Sequence, residues 1–115
     1  MNQNDPPTEH ILACLSSSPS NAKIVRTAAT MAKAFGGTFT ALYVRTPDSD
    51  QMGKEDCRRL QQHIRMAEQA GADISTIYGD DIPQQIAEFA RISGITKIVL
   101  GAPAYIAAIS GVDRH

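Results

Sequence analysis

The sequence predicts an α/β fold of the doubly wound class, in which helices cover both faces of a parallel β-sheet. Short apolar runs that are typical of buried strands alternate along the chain with segments of helical periodicity. Glycine follows each helical segment, and polar loops separate the elements. The order βαβαβαβ implies right-handed crossover connections between parallel strands, with the helices packed on the two faces of the sheet.

Four segments have the composition of strands. Residues 10–15 (His-Ile-Leu-Ala-Cys-Leu) form a continuous apolar run, which fits a strand that is buried on both faces. Three later segments are rich in β-branched, aliphatic and aromatic residues, namely residues 38–44, 73–78 and 96–100. We expect these four strands to form the sheet.

Three segments between the strands have apolar residues spaced three and four positions apart, as in amphipathic helices. The first covers about residues 22–35 and the second about residues 54–70, and each is followed by glycine. The third begins after Asp81, which together with Gln84 three residues later can cap a helix. It is expected to end at Gly94.

The chain has 115 residues, a length that suits one domain with a single core. Residues 1–9 are polar and contain two prolines, so we expect a disordered extension rather than a signal peptide. The predicted domain covers residues 10–101. We expect residues 102–115 to form a tail or a truncated last helix, because a doubly wound domain normally has a further element after its fourth strand. The predicted fold therefore lacks its last element.

The composition is that of a globular protein rather than of a disordered or fibrous one. The net charge is -1 with both signs interspersed, which argues against binding to nucleic acid. Apolar runs are much shorter than the roughly 20 residues that cross a bilayer. Cys14 lies in an apolar run and Cys57 in a polar helical segment, so we expect no disulfide framework and favour a reducing cytoplasm.

In doubly wound sheets, ligands bind beyond the carboxyl ends of the strands, next to the first strand. A hydroxyl-rich segment, residues 16–20 (the serine loop), follows that strand and precedes the first helix. Hydroxyls and free backbone N–H groups at a helix N-terminus suit an anionic ligand. The candidate ligand residues here are Ser16, Ser18, Ser20 and Asn21. The alternative is an ordinary helix cap, for which Ser and Asn are also preferred.

The second strand offers further candidates for an adenine site. Backbone groups at its end and the ring of Tyr43 could contact the edge or face of a purine. Alternatively, Phe39, Ala41 and Tyr43 share one strand face and pack under a helix, because side chains two apart point the same way. For Phe39 the core is the favoured interpretation, since an aromatic residue inside a strand is usually buried.

Two serines, a gap of twenty residues and a short aromatic segment form one pattern, Ser16-x-Ser18 followed by Phe39-Thr40-Ala41-x-Tyr43. This pattern resembles the SxS…FTAxY motif of the universal stress protein-like domain in KdpD-type potassium sensor histidine kinases, some of which bind cyclic di-AMP. The resemblance covers residues 10–101. Later segments of the sequence also resemble this family, and they add Gly79, Asp80 and Gly101 to the candidate ligand residues.

The resemblance implies a universal stress protein-like fold, of the adenine nucleotide alpha hydrolase type. It implies a cytoplasmic regulatory input domain of a histidine kinase that is itself bound to the inner membrane. The implied ligand is an adenine nucleotide, for which cyclic di-AMP and ATP are the candidates. A second hypothesis is a docking domain that has no ligand of its own and binds a universal stress protein partner or forms a homodimer through a sheet edge.

Family members that bind ATP carry Gly-x-x-Gly and a later Gly-Ser or Gly-Thr after the fourth strand. Gly101 matches the first glycine, but Ala104 stands where the second belongs, and Ser110-Gly111 is displaced and reversed. Pro103 also removes a backbone donor from the phosphate cradle. These departures argue against triphosphate binding in that mode.

Other residue types give weaker hypotheses. Asp80 and Asp81 are adjacent carboxylates, but a helix cap explains Asp81 and the sequence supplies no clear third metal ligand. His10, His63 and His115 fall at a strand start, on a polar helix face and at the terminus, so a shared metal site is not expected. No nucleophile is paired with a base, and we do not expect the domain to be an enzyme.

Overall fold

The computed structural model describes residues 8–100 and 105–106. Eight regular helices and strands follow one another within that part of the chain. They are β1 (His10–Cys14), α1 (Asn21–Phe35), β2 (Thr38–Arg45), α2 (Lys54–Gln69), β3 (Asp73–Tyr78), α3 (Ile82–Ile92), β4 (Lys97–Val99) and β5 (Tyr105–Ile106).

The strands form one sheet in the order β3-β2-β1-β4-β5. β1 pairs in parallel with β2 on one side and with β4 on the other, and β2 pairs in parallel with β3. The chain therefore builds the sheet outward from β1 in one direction and then returns to its other side. This confirms the predicted doubly wound class and places the switch point beside β1.

Two apolar clusters cover the two faces of the sheet. On one face, α1 and α2 pack on side chains that include Ile11, Ala13 and Phe39. On the other face, α3 packs on side chains that include Leu12 and Leu42. Successive residues of β1 thus point to opposite clusters, as the two-residue repeat of a strand requires.

Local signals set the ends of the helices where the sequence predicts them. Gly36 ends α1 with a left-handed φ of 65°, and its N–H donates to the carbonyls of the last turn. Asp81 caps α3, since its Oδ1 accepts from the N–H of Gln84 at 3.2 Å. Both capping predictions are confirmed.

The start of the described chain is fastened to the sheet. Thr38 N–H donates to the carbonyl of Glu9 at 2.9 Å, and Glu9 Oε1 accepts from Thr96 Oγ1 at 2.7 Å and from Lys97 Nζ at 3.0 Å. The bonds from Thr96 and Lys97 lower the pKa of the Glu9 carboxyl below its ordinary value. Glu9 is thus bonded to the folded domain, whereas the sequence predicts a disordered extension over residues 1–9; residues 1–7 lie outside the described residues.

The short strand β5 lies in the segment 102–115, for which the sequence predicts a tail or a truncated last helix. β5 is antiparallel to β4, with Ile106 opposite Ile98 and Tyr105 opposite Val99. These two residues are extended rather than helical, because they complete hydrogen bonds along the outer edge of β4. The remainder of that segment lies outside the described residues. In the described part of the chain, no helix is long and apolar enough to cross a membrane.

Candidate functional site

A cleft of about 360 Å³ opens at the carboxyl ends of β1, β2 and β4, next to the switch point. The end of β1 and the serine loop form one wall, and the end of β2 with the segment that follows it forms another. The first turns of α3 and Leu100 complete the lining. This is the position at which doubly wound folds bind their ligands.

The cleft combines an apolar floor with hydroxyl groups. The apolar lining residues are Leu15, Ile24, Leu42, Val44, Met52, Ile82, Ile86 and Leu100. The hydroxyl-bearing lining residues are Ser16, Ser17, Tyr43, Thr46 and Ser49. Every described side chain that lines the cleft is uncharged at neutral pH. Such a lining suits a flat, largely apolar group that carries hydroxyls or ring nitrogens.

The serine loop is folded on itself by short-range hydrogen bonds. Ser18 N–H donates to Ser16 Oγ at 3.2 Å, and the hydroxyls of Ser18 and Ser20 lie 3.0 Å apart. Ser20 occupies the N-cap position of α1, yet its side chain makes no capping bond. The serine hydroxyls therefore make local turn bonds, and Ser20 does not cap the helix through its side chain.

The buried side chain of Asn21 holds the loop to the end of β1. Its side chain is 1% exposed, its Oδ1 accepts from Ser16 N–H at 3.0 Å, and its Nδ2 donates to the carbonyl of Cys14 at 2.8 Å. Both ends of the amide are thus engaged within the protein. Asn21 thus fixes the backbone where β1 passes into the loop.

α2 contacts the same loop from the side. His63 Nδ1 lies 2.8 Å from the carbonyl oxygen of Ser16, and Arg59 Nη1 donates to the carbonyl of Ser17 at 2.9 Å. Arg59 is also bound to Asp56 at 3.1 Å, one turn earlier on α2. Two consecutive carbonyls of the loop are therefore held by one helix.

The segment between β2 and α2, which forms the opposite wall, is held by a polar cluster. Arg45 binds Asp50 at 2.7 Å, and Tyr78 Oη donates to the other oxygen of Asp50 at 3.0 Å. The bonds from Arg45 and Tyr78 lower the pKa of the Asp50 carboxyl below its ordinary value. Thr46 and Ser49, which both line the cleft, hydrogen-bond to each other and tighten the turn between them.

The structure brings part of the predicted ligand set together. Ser16, Asn21 and Tyr43 all line the cleft. Ser18 and Ser20 are exposed on the serine loop beside it. These five residues form one contiguous region at the carboxyl edge of the sheet.

The rest of the predicted set lies elsewhere. Phe39 and Ala41 are buried in the core under α1 and α2, which confirms that they share a packed strand face with Tyr43. With Thr40 they precede Tyr43 on β2, and Phe39 lies about 13 Å from it along the strand. Of the four motif residues Phe39, Thr40, Ala41 and Tyr43, the cleft lining includes Tyr43, and Leu42 at the variable position also lines it.

The three remaining candidates follow β3 and β4. Gly79 N–H donates to the carbonyl of Arg45 at 2.9 Å, and Asp80 is exposed; neither lines the cleft. Gly101 lies outside the described residues, although the preceding Leu100 lines the cleft. Within the described ranges, no group of three metal-binding side chains is close enough to hold an ion.

The sequence interpretation missed the contacts from α2. His63 was assigned to a polar helix face, but it is only 4% exposed. The signal was present, because His63 lies three residues after Leu60 and four before Ala67, both of which are buried. A histidine at that spacing belongs to the buried stripe of the helix and needs a polar partner.

The two cysteines should differ strongly in reactivity. Burial raises the pKa of the Cys14 thiol to about 12, whereas Cys57 is exposed on α2. Because the thiolate is the reactive form, we expect an alkylating reagent at pH 8 to modify Cys57 at least about 100-fold faster than Cys14. Mass spectrometry over a time course measures both rates. A Cys57→Ser variant that is alkylated as fast as the wild type would contradict this prediction.

The strand order and the three helices, with a cleft at the carboxyl edge, define the fold of the universal stress proteins. The model of the universal stress protein family matches residues 7–111, and the chain belongs to this family. Within it, the chain is 39% identical over 94 residues to the sensor protein KdpD of Clostridium acetobutylicum and 31% identical over 94 residues to that of Escherichia coli K12. Each match covers 82% of this chain and 10% of the relative, so the chain spans about a tenth of the length of these relatives.

Solved universal stress proteins share the fold at low sequence identity. One from Burkholderia pseudomallei gives a TM-score of 0.65 at 20% identity, covering 84% of this chain and 85% of that one. One in complex with cAMP gives 0.60 at 15% identity, covering 79% and 70%. One from Archaeoglobus fulgidus in complex with dAMP gives 0.53 at 20% identity, covering 82% and 80%.

Proposed function

We propose that this domain is a cytoplasmic regulatory input domain of a KdpD-like, membrane-bound sensor histidine kinase and that it binds an adenine nucleotide. The observation that carries the proposal is the cleft at the carboxyl edge, where the serine loop and Tyr43 face a largely apolar floor. The family relationship supports it, because fold relatives include complexes with cAMP and dAMP.

The lining suggests how a nucleotide would be held. The adenine would lie on the apolar floor near Tyr43, where its edge can meet backbone groups at the end of β2. The phosphate would lie at the serine loop, next to the N-terminus of α1, whose dipole favours negative charge. Lys23 in the first turn of α1 does not line the cleft, so the helix N-terminus and the serine hydroxyls would hold the phosphate.

The size and charge of the cleft favour one nucleoside monophosphate unit over a triphosphate. About 360 Å³ is near the lower end of the roughly 300–1,000 Å³ that ligand sites occupy. The described residues of its lining are uncharged and offer no cation for a chain of phosphates. Cyclic di-AMP would place one adenosine in the cleft and extend its second half over the exposed Ser18 and Ser20. ATP remains the weaker candidate.

A second candidate function, protein docking, is favoured by exposed apolar side chains on α3 and after β4. Ile92 is 73% exposed, Ile82 45% and Leu100 44%. A universal stress protein partner or a second copy of this domain could cover them. In this alternative the domain would act as a scaffold for the kinase. A folded domain that binds no nucleotide would favour it.

The test of nucleotide binding is calorimetric titration of the domain with cyclic di-AMP and, separately, with ATP. We expect the double variant Ser16→Ala, Ser18→Ala to weaken cyclic di-AMP binding by about 30-fold or more, because it removes two hydroxyls worth about 1 kcal/mol each.

The matched control is Ser93→Ala, which removes an exposed hydroxyl after α3, at the opposite edge of the sheet. It should bind like the wild type. A wild-type domain that is folded and binds neither nucleotide would overturn the proposal, and equal affinity of the double variant would exclude the serine loop as the site.

A further inference from the structure

One face of α2 supplies two side-chain donors to the backbone of the serine loop. Arg59 and His63 are four residues apart, so they lie on adjacent turns of the same side of α2. Their partners are the carbonyls of Ser17 and Ser16, which are adjacent along the loop. Forty-two and 47 residues separate the partners in sequence, so these are tertiary contacts rather than local turn bonds.

The two contacts fix the direction of the loop amides. In a trans peptide the carbonyl of one residue points opposite to the N–H of the next. Because the carbonyl of Ser16 faces His63, the N–H of Ser17 points away from α2. The carbonyl of Ser17 faces Arg59, and the N–H of Ser18 correspondingly turns back to Ser16 Oγ at 3.2 Å.

The burial of His63 is not explained by core packing. Its neighbours on the buried stripe of α2 are Leu60 and Ala67, and an aliphatic side chain would fill the same position without any desolvation of polar atoms. The ring nitrogen instead meets the loop carbonyl at 2.8 Å. In the described part of the chain, this ring nitrogen therefore serves the backbone of the serine loop.

We propose that His63 and Arg59 are positioning residues that hold the serine loop in the conformation that binds the nucleotide. This inference rests on the proposed function, since it assigns the loop its ligand. His63 acts by donating from Nδ1 to the Ser16 carbonyl, and Arg59 acts by donating to the Ser17 carbonyl while Asp56 holds its guanidinium.

The test compares variants that remove the donor with variants that restore it. His63→Leu removes the Nδ1 donor, whereas His63→Asn places an amide N–H near the position of Nδ1. Arg59→Met and Arg59→Lys form the equivalent pair. Gln62→Leu, at the exposed neighbouring position of α2, is the matched control. Amide hydrogen exchange of residues 16–18 and calorimetric binding of cyclic di-AMP and AMP are measured for each.

We expect His63→Leu to speed exchange of the loop amides and to weaken binding, each by about tenfold, as the loss of one buried hydrogen bond implies. Exchange in β4 and α3 should stay at the wild-type rate. His63→Asn should recover most of both losses, and Gln62→Leu should change neither. A general loss of stability would instead raise exchange throughout the domain and would not be rescued by Asn.

The outcomes separate the two proposals. Unchanged loop exchange and unchanged binding in both His63→Leu and Arg59→Met would overturn the positioning role. A wild-type domain that binds neither nucleotide would overturn the proposed function and with it the role in ligand binding. In that case the exchange data would still decide whether α2 holds the loop.

Discussion

Replacing Asn21 by Ala should destabilise the domain by about 2–4 kcal/mol and also weaken nucleotide binding. The substitution removes an acceptor from the N–H of Ser16 and a donor from the carbonyl of Cys14, in an interior where the side chain is 1% exposed. Each lost bond at a buried site costs about 1–3 kcal/mol. Chemical denaturation followed by circular dichroism measures the free energy of unfolding.

The neighbouring substitution Ser20→Ala provides the control for Asn21. Ser20 stands at the N-cap position, where a serine normally stabilises a helix by about 1 kcal/mol, but here its hydroxyl makes no capping bond. We therefore expect Ser20→Ala to cost less than about 0.5 kcal/mol. If Ser20→Ala were as destabilising as Asn21→Ala, the assignment of Asn21 as the brace of the loop would be contradicted.

Gly37→Ala should have a comparably large effect at the opposite edge of the sheet. A Cβ on Gly37 would collide with the carbonyl oxygen of Glu9 and lie 2.8 Å from its carbonyl carbon. Both obstacles are backbone atoms, and the same carbonyl accepts from Thr38 N–H, so the strand start cannot move aside without losing that bond. We expect a loss of about 1–3 kcal/mol or more, measured by thermal and chemical denaturation.

Gly53→Ala is the matched control for the change at Gly37. Among the described residues, no atom lies within 4 Å of a Cβ built on Gly53, and its φ of -72° and ψ of 171° are open to alanine. The free energy of unfolding should change by less than about 1 kcal/mol. Equal effects of the two substitutions would show that lost chain flexibility, rather than the close approach to Glu9, governs the response at Gly37.

The fold could be predicted because its signals are local. The apolar run of β1, the glycine at the end of α1 and the Asp81 cap of α3 each act within a few residues, and the structure has these elements at the predicted places. The alternation of strands and helices then restricts the topology to a doubly wound sheet. β5 is the exception, because two residues paired in an antiparallel register carry no periodic signal.

The site could be predicted only in part, since its geometry depends on contacts between distant segments. The carboxyl edge and Tyr43 follow from topology. Whether Phe39 faces a ligand or the core depends on what α1 and α2 cover, and the structure places it in the core. The bonds of Arg59 and His63 to the serine loop join residues more than 40 positions apart, so only the folded chain shows them.

The central claim, that the carboxyl-edge cleft holds an adenine nucleotide, is tested most directly by amide chemical shifts during titration with cyclic di-AMP. We predict saturable changes at residues 16–18 and 43–46 and at the start of α3, with β3 and the amino edge near Gly37 and Gly71 unaffected. The absence of saturable shifts, or shifts centred on the amino edge, would contradict the account.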